Sequence, residues 1–189
     1  MSHAVFVTHT AESAPPDARP TIEGVLRKFG HVPTAVGRMA TSPQLLEGFL
    51  AASAAFDQSS LDPVDREIVV MTVAARNGCH VSVAMHTATL ARLQAPSELV
   101  EALRAGTPLP DARSEALRSF TLAVMDHRGA VGDEETRAFL DAGHSPRNAL
   151  EVVLGIGAYT ISAFANRLID APLDPPFHAF AWDGETGGA

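Results

Sequence analysis

Apolar residues recur along the chain three and four positions apart, the spacing of helices with one buried face. Val25 and Leu26 begin the pattern in a short helix that stops at Gly30, and Pro33 then breaks the chain. Ser42-Pro43 supplies an N-cap and a first-turn proline, followed by Leu45, Leu46, Phe49, Leu50 and Phe56 at helical spacing. Asp62-Pro63 opens the next helix in the same way, with Asp65 and Glu67 at the positive end of its dipole. The run Ile68-Val-Val-Met-Thr-Val-Ala-Ala is β-branched enough to pass for a strand. The capping signal before it and Asn77-Gly78 after it favour a helix. A further helix runs from about Cys79 to Leu93, and a short one from Pro96-Ser97 to Gly106. The second half repeats the style, with helices from Ser114 to His127, from Gly132-Asp133 to Gly143, and from Ser145-Pro146 to about Asp170.

The last of these is apolar most of the way round, which predicts a central, buried helix. Its longest uncharged stretch, Val152 to Ala165, is shorter than the roughly 20 residues of a membrane span. No strand pair or hairpin turn is visible, so the chain reads as all-α, with about eight helices around a central buried one. Residues 1–20 read as an N-terminal arm, 21–171 as one helical domain, and 172–189 as a Pro- then Gly-rich C-terminal tail. Glu67-Ile-Val-Val and Glu151-Val-Val-Leu form a weak echo 84 residues apart, consistent with duplication or with chance. That shift sets Ala163 opposite Cys79, Asn166 opposite Ser82 and Asp170 opposite His86.

Composition narrows the function. The 189 residues suit one domain, and 46% of them are apolar, as in a globular chain. Lys and Arg number 14 against 22 Asp and Glu, a net charge of −8, and the aromatics are one Trp, one Tyr and nine Phe. That balance argues against nucleic-acid binding. One cysteine permits neither an intrachain disulfide nor a Cys-rich zinc site. The eight His show no H-x-x-x-H or H-E-x-x-H pattern, so no metal and no cofactor is expected. The N-terminus lacks a basic region followed by an apolar core, and the expected location is the cytoplasm.

Chemistry concentrates between Arg66 and His86. With Gly78 as the turn of a helical hairpin, Glu67 stands about 16 Å before it and His86 about 12 Å after it at 1.5 Å per residue. The two are close enough in level for a hydrogen bond across the hairpin. On the second helix Cys79, Ser82 and His86 share one face at i, i+3 and i+7. Cys79 and His86 are about 10.5 Å apart along the axis, so Ser82 or a water would have to bridge them. Cys79 also begins its helix, where free N–H groups and the dipole favour a thiolate. Against this, a lone Cys is usually a small buried hydrophobe and a lone His is usually a surface group.

This stretch resembles the carboxymuconolactone decarboxylase and alkyl hydroperoxidase D-like superfamily. Redox-active members carry Glu, eleven residues, Cys, two residues, Cys, three residues and His. Here Glu67, Cys79 and His86 occupy the matching positions, flanked by Asp65-Arg66-Glu67-Ile, by Asn-Gly-Cys and by His86-Thr87. Leu150-Glu151-Val-Val-Leu and Ala165-Asn166-Arg167-Leu168 are similar to the family's final helix, so the resemblance covers about residues 40–170. It implies an alkyl hydroperoxidase D-like helical fold, and subunits that assemble as dimers, trimers or hexamers. In redox members it implies that the second Cys is the peroxidatic nucleophile, the first resolves it, and Glu and His relay the proton. The second Cys is Ser82 in this chain, so a disulfide cycle within one chain is ruled out.

Three readings follow, in order of preference, the thiol peroxidase first. In the first, Cys79 attacks a hydroperoxide, becomes a sulfenic acid and is restored by an external thiol reductant, with Glu67, His86 and Ser82 relaying the proton. In the second, as in the superfamily's decarboxylase, His86 and Glu67 do non-redox acid–base work on an acidic lactone, with Arg66 or Arg76 holding its carboxylate. In the third, the site is a relic in a binding or structural protein. All three expect a homo-oligomer with no nucleic-acid or membrane partner, and the first two expect a small-molecule substrate. The tail from Pro172 to Trp182 is a candidate arm on a neighbouring subunit.

Overall fold

The computed structural model describes residues 5–184. Among these, nine α-helices and two short 3-10 helices account for all regular structure, and there is no strand. The all-α class read from the sequence is the class observed. The helices are α1 (Arg19–Phe29), α2 (Thr34–Met39), α3 (Pro43–Asp57), α4 (Pro63–Arg76), α5 (His80–Arg92), α6 (Ser97–Ala105), α7 (Ala112–Asp126), α8 (Asp133–Asp141) and α9 (Pro146–Leu168). The 3-10 helices span Pro16–Ala18 and Pro175–Phe180. α2 is the element the sequence did not announce. Pro33 sits just before it as the N-cap, a position a proline tolerates, and so begins a helix there.

Local chemistry accounts for the boundaries. Ser42 accepts from the N–H of Leu45, and Asp111 from that of Ser114. Ser145 and Asn148 form a reciprocal capping box that starts α9. Between α4 and α5, Gly78 takes a positive φ of 61°. The N–H of Gly78 donates to Ala75 O and that of Cys79 to Ala74 O, the paired bonds of a Schellman stop. That turn reverses the chain and lays α5 antiparallel on α4.

The buried centre is α4, in which every residue from Ile68 to Ala75 is buried. Helices α5, α6, α7 and α9 surround it, so the β-branched run is buried on all sides and shows no amphipathic period. α9 differs from its expected role. It packs on α3 and α4, with smaller contacts to α7 and α5, and leaves its opposite face uncovered. It is also the one described helix long and apolar enough to cross a membrane by length and composition.

A second apolar cluster joins α1, α2, α3 and the end of α9, and it includes Cys79. Ala14 and Ala18 lie in it at 1% and 0% exposure, and Phe6 and Ala11 pack against it. The N–H of His9 donates to Gly37 O, so the segment read as an arm packs on the domain from residue 6 onward. The tail is not free either. Arg104 donates to the carbonyls of Phe180 and Ala181, and Trp182 Nε1 donates back to Arg104 O, which straps residues 180–182 onto the chain's own α6. Residues 1–4 of the arm and 185–189 of the tail lie outside the described residues.

Candidate functional site

The hairpin brings Glu67 and His86 together across α4 and α5. His86 Nδ1 lies 2.7 Å from Glu67 Oε2, the bond expected from the spacing. Both side chains are mostly buried, at 17% and 13% exposure, where a charge-assisted bond outweighs a surface pair. With Nδ1–H donating to the carboxylate, Nε2 carries the free lone pair. Nε2 has no protein partner among the described residues.

Ser82 and Cys79 lie one turn apart on α5, and the Cys79 thiol donates to Ser82 Oγ at 3.1 Å. From α9, Asn166 Nδ2 reaches Cys79 Sγ at 3.7 Å, Ser82 Oγ at 3.5 Å and Ser162 Oγ at 3.5 Å. Ser82 Oγ thus accepts from within the protein, and its own O–H is unused by any described acceptor. Asn166 and Ser82, the positions that the 84-residue echo sets opposite each other, are thus in contact.

A cavity of about 650 Å³ opens onto these groups. Glu67, Ser82, His86, Tyr159, Ser162 and Asn166 contribute its polar wall, while apolar residues from α1, α2 and α3 close the opposite side. Cys79 is not in that wall. It is 1% exposed and stands behind Ser82 in the second apolar cluster. Of the four candidates read from the sequence, three therefore reach the cavity and the fourth touches it through a neighbour's hydroxyl. Arg66 and Arg76 do not reach it. Arg66 Nη1 donates to Leu61 O, and Arg76 pairs with Asp126 at 2.9 Å beside a separate cavity of about 390 Å³. Lys28 and Arg92 are the long cations that line the larger cavity.

Sequence reasoning missed Tyr159, the chain's one tyrosine. Its ring meets that of His86 edge to face at 5.1 Å and that of Phe56 at 6.1 Å, and its hydroxyl lies 3.4 Å from Ser53 Oγ. Burial pushes its phenol up to about 12, aided by the carboxylates of Asp57 and Glu67 and opposed by the Ser53 hydrogen bond. A neutral hydroxyl therefore faces the cavity across the physiological range. Tyr159, Ser162 and Asn166 share a face of α9 at i, i+3 and i+7, a signal hidden by the helix's uniform apolarity.

Residues 42–126 match the model of the Carboxymuconolactone decarboxylase family, which takes in α3 through α7 and the Glu67–His86 hairpin. No curated protein matches the sequence. Among solved structures, the alkylhydroperoxidase AhpD core of a peroxidase-related protein from Ralstonia eutropha JMP134 superposes with a TM-score of 0.77 at 22% identity, covering 91% of this chain and 93% of that one. A peroxidase-related protein from Silicibacter sp. TM1040 gives 0.72 at 20% identity, covering 87% and 88%. The debrominase Bmp8 in complex with 2,3,4-tribromopyrrole gives 0.72 at 16% identity, covering 95% and 96%. At these identities the likeness is one of fold.

Proposed function

We propose that this chain, whose residues 42–126 match the Carboxymuconolactone decarboxylase family and whose fold is that of alkylhydroperoxidase AhpD-like proteins, is a non-redox acid–base enzyme acting on a small, mostly apolar carbonyl compound. The observation that carries this reading is the 2.7 Å Glu67–His86 bond, with the second ring nitrogen left to a cavity. Glu67 holds the imidazole in one tautomer and stabilises the imidazolium that forms when Nε2 takes a proton. The Ser82 O–H and the neutral Tyr159 hydroxyl supply donors for an oxygen that gains charge as a neighbouring carbon loses its proton or its carboxylate. A cavity of about 650 Å³ admits a small organic molecule, and Arg92 and Lys28 suit a carboxylate on it.

The thiol peroxidase, the first reading from the sequence, stands second here, and one contact favours it: Cys79 Sγ lies 3.1 Å from Ser82 Oγ. In that reaction sulfur attacks the outer peroxide oxygen and the O–O bond breaks. The thiol becomes a sulfenic acid, and the alcohol leaves with a proton relayed from His86. Two external thiols then return the sulfenic acid to thiol, releasing water and their own disulfide. The burial of Cys79 behind Ser82 is what places this reading second.

Two assays separate them. In D2O, candidate lactones and keto acids should take up deuterium, or lose CO2, in the presence of the protein. Glu67→Gln and His86→Gln should each slow this by about 10²–10⁴-fold, the usual worth of general acid–base catalysis, while Cys79→Ser retains it. Thiol-dependent consumption of hydrogen peroxide or cumene hydroperoxide that Cys79→Ser abolishes would instead establish the peroxidase and overturn the first reading.

A further inference from the structure

Three arginines converge on the smaller cavity of about 390 Å³, which opens where α4, α6 and α7 meet the strap of residues 180–182. Arg76 comes from α4, Arg104 from α6 and Arg118 from α7, and Trp182 adds an indole from the strap. None of its lining residues lines the larger cavity that holds Glu67 and His86. Guanidinium groups repel one another, so a hollow that gathers three of them calls for negative charge. Asp126 pairs with Arg76 at 2.9 Å, and Glu115 with Arg118 at 2.9 Å. Arg104 meets only neutral acceptors among the described residues: the Thr87 hydroxyl and the carbonyls of Phe180 and Ala181. Three cations against two carboxylates leave one positive charge unmatched among the described residues.

Arg118 is the clearest sign of a ligand. It is only 9% exposed, and a buried guanidinium ordinarily spends its donors on protein acceptors. Its Nε and Nη2 donate to Glu115, yet Nη1 has no acceptor among the described residues while the side chain lines the cavity. Arg76 spends Nε and Nη2 on one oxygen, Asp126 Oδ1, so its Nη1 is unspent as well among the described residues. Each Nη1 carries two N–H donors, and guanidinium donors of this kind match the oxygens of a carboxylate. Much of the remaining wall is apolar, with Leu103, Leu122 and the Trp182 indole. That indole is fixed in place, because its Nε1 donates to Arg104 O at 3.0 Å.

We propose that this cavity is a second binding site, for a small organic monocarboxylate with a compact apolar body. The carboxylate takes the unspent donors of Arg76 and Arg118, and the body rests against Leu103, Leu122 and Trp182. One negative charge cancels the one positive charge left unmatched. A volume of about 390 Å³ lies near the lower end of the roughly 300–1,000 Å³ usual for small-molecule sites, which limits the ligand to a compact one. Arg76, a candidate carboxylate holder by sequence, thus has that role at a cavity apart from the Glu67–His86 pair. The site does not depend on the reaction proposed for that pair.

Trp182 is the chain's one tryptophan, so emission excited at 295 nm reads this cavity. The full chain is titrated with benzoate, benzamide and acetate at constant ionic strength. Benzoate should change the emission saturably at millimolar concentration or below. Benzamide, which has the shape without the charge, and acetate, which has the charge without the body, should each bind about tenfold or more weakly. Arg76→Gln should weaken benzoate binding by about 10–100-fold, the worth of hydrogen bonds to a charged group. Arg118→Lys keeps the charge, loses the planar fork and should weaken it as well. Asp126→Asn should act in the opposite sense and tighten benzoate by about two- to fivefold, the worth of an exposed ion pair, because it releases Arg76. Arg76 and Asp126 are both half-exposed, so these two variants should keep the wild-type far-UV circular dichroism. His86→Gln should leave benzoate binding unchanged, which separates this site from the acid–base site. No saturable change at millimolar benzoate, or equal affinity for benzamide or acetate, would overturn the proposal. So would an affinity that neither Arg76→Gln nor Asp126→Asn alters.

Discussion

Gly155 is where the packing of α9 can be tested most sharply. An alanine there places its methyl 2.7 and 2.8 Å from two ring carbons of Phe56 and 3.0 Å from Cγ1 of Val69. Carbon atoms rest at about 3.5–4.0 Å, so the neighbours must retreat by about 0.5–1 Å. They have little room to do so, because Phe56 and Val69 are both fully buried. The Phe56 ring is also held edge to face against Tyr159. Overpacking of this kind costs about 1–3 kcal/mol, and two contacts under 3 Å against fully buried neighbours put it in the upper half of that range, at about 2–3 kcal/mol. The gain in helix propensity returns about 1 kcal/mol. Gly155→Ala should therefore destabilise the fold by about 1–2 kcal/mol. At about 2–4 °C per kcal/mol for a chain of this size, the melting midpoint should fall by about 2–8 °C. Thermal unfolding followed by circular dichroism at fixed protein concentration reads this directly. A midpoint equal to or above wild type would refute the argument, since helix propensity alone predicts a rise. The strain also has a route to the site through Phe56 and Tyr159 to the His86 ring, so the variant should lose activity as well as stability.

Three further outcomes follow from the site and its supports. The single tyrosine should titrate near pH 12 by its absorbance at 295 nm. Because folding raises the phenol above its ordinary value of 10, Tyr159 contributes stability below pH 10 that is lost between pH 10 and 12; a midpoint at 10 would show the ring to be solvated. Glu151 is desolvated, but hydrogen bonds from Ser60, Arg147 and Asn148 outweigh that and hold its carboxyl below the usual range. Glu151→Gln should cost about 1–2 kcal/mol at pH 7 by denaturant unfolding, and the gap from wild type should close as the pH falls below about 4; a gap independent of pH would refute it. Ser82→Cys should restore a dithiol, since the side-chain atoms of 79 and 82 already stand 3.1 Å apart. One equivalent of peroxide should then remove both free thiols in a dithionitrobenzoate assay, and two thiols surviving would refute the geometry.

The hairpin shows how far local sequence reaches. Helices α3, α4 and α9 begin at Ser42-Pro43, Asp62-Pro63 and Ser145-Pro146, because a proline in the first turn lacks only an N–H that the helix does not use. Asn77-Gly78 ends α4 because glycine adopts a positive φ without a β-carbon clash. Once those limits are set, the level of Glu67 against His86 follows from the rise per residue, and the 2.7 Å bond is its consequence. The uniform apolarity of α4 and α9 hid what distinguishes them. One is enclosed on every side, while the other carries a polar wall on one face and an uncovered stripe on its opposite face.

The sequence by itself thus determined the all-α class, most helix limits and the Glu67–His86 pairing, because each depends on contacts within a turn or across one hairpin. Only the tertiary structure decided what stands in front of the pair. Asn166 and Tyr159 arrive from α9, and α1 and α2 close the cavity, through packing between segments far apart in the chain. It also decided the place of the single cysteine. A position at the start of a helix does not say which side of that helix will be covered. The second apolar cluster covers the side with Cys79, and the Ser82 hydroxyl is what faces the cavity.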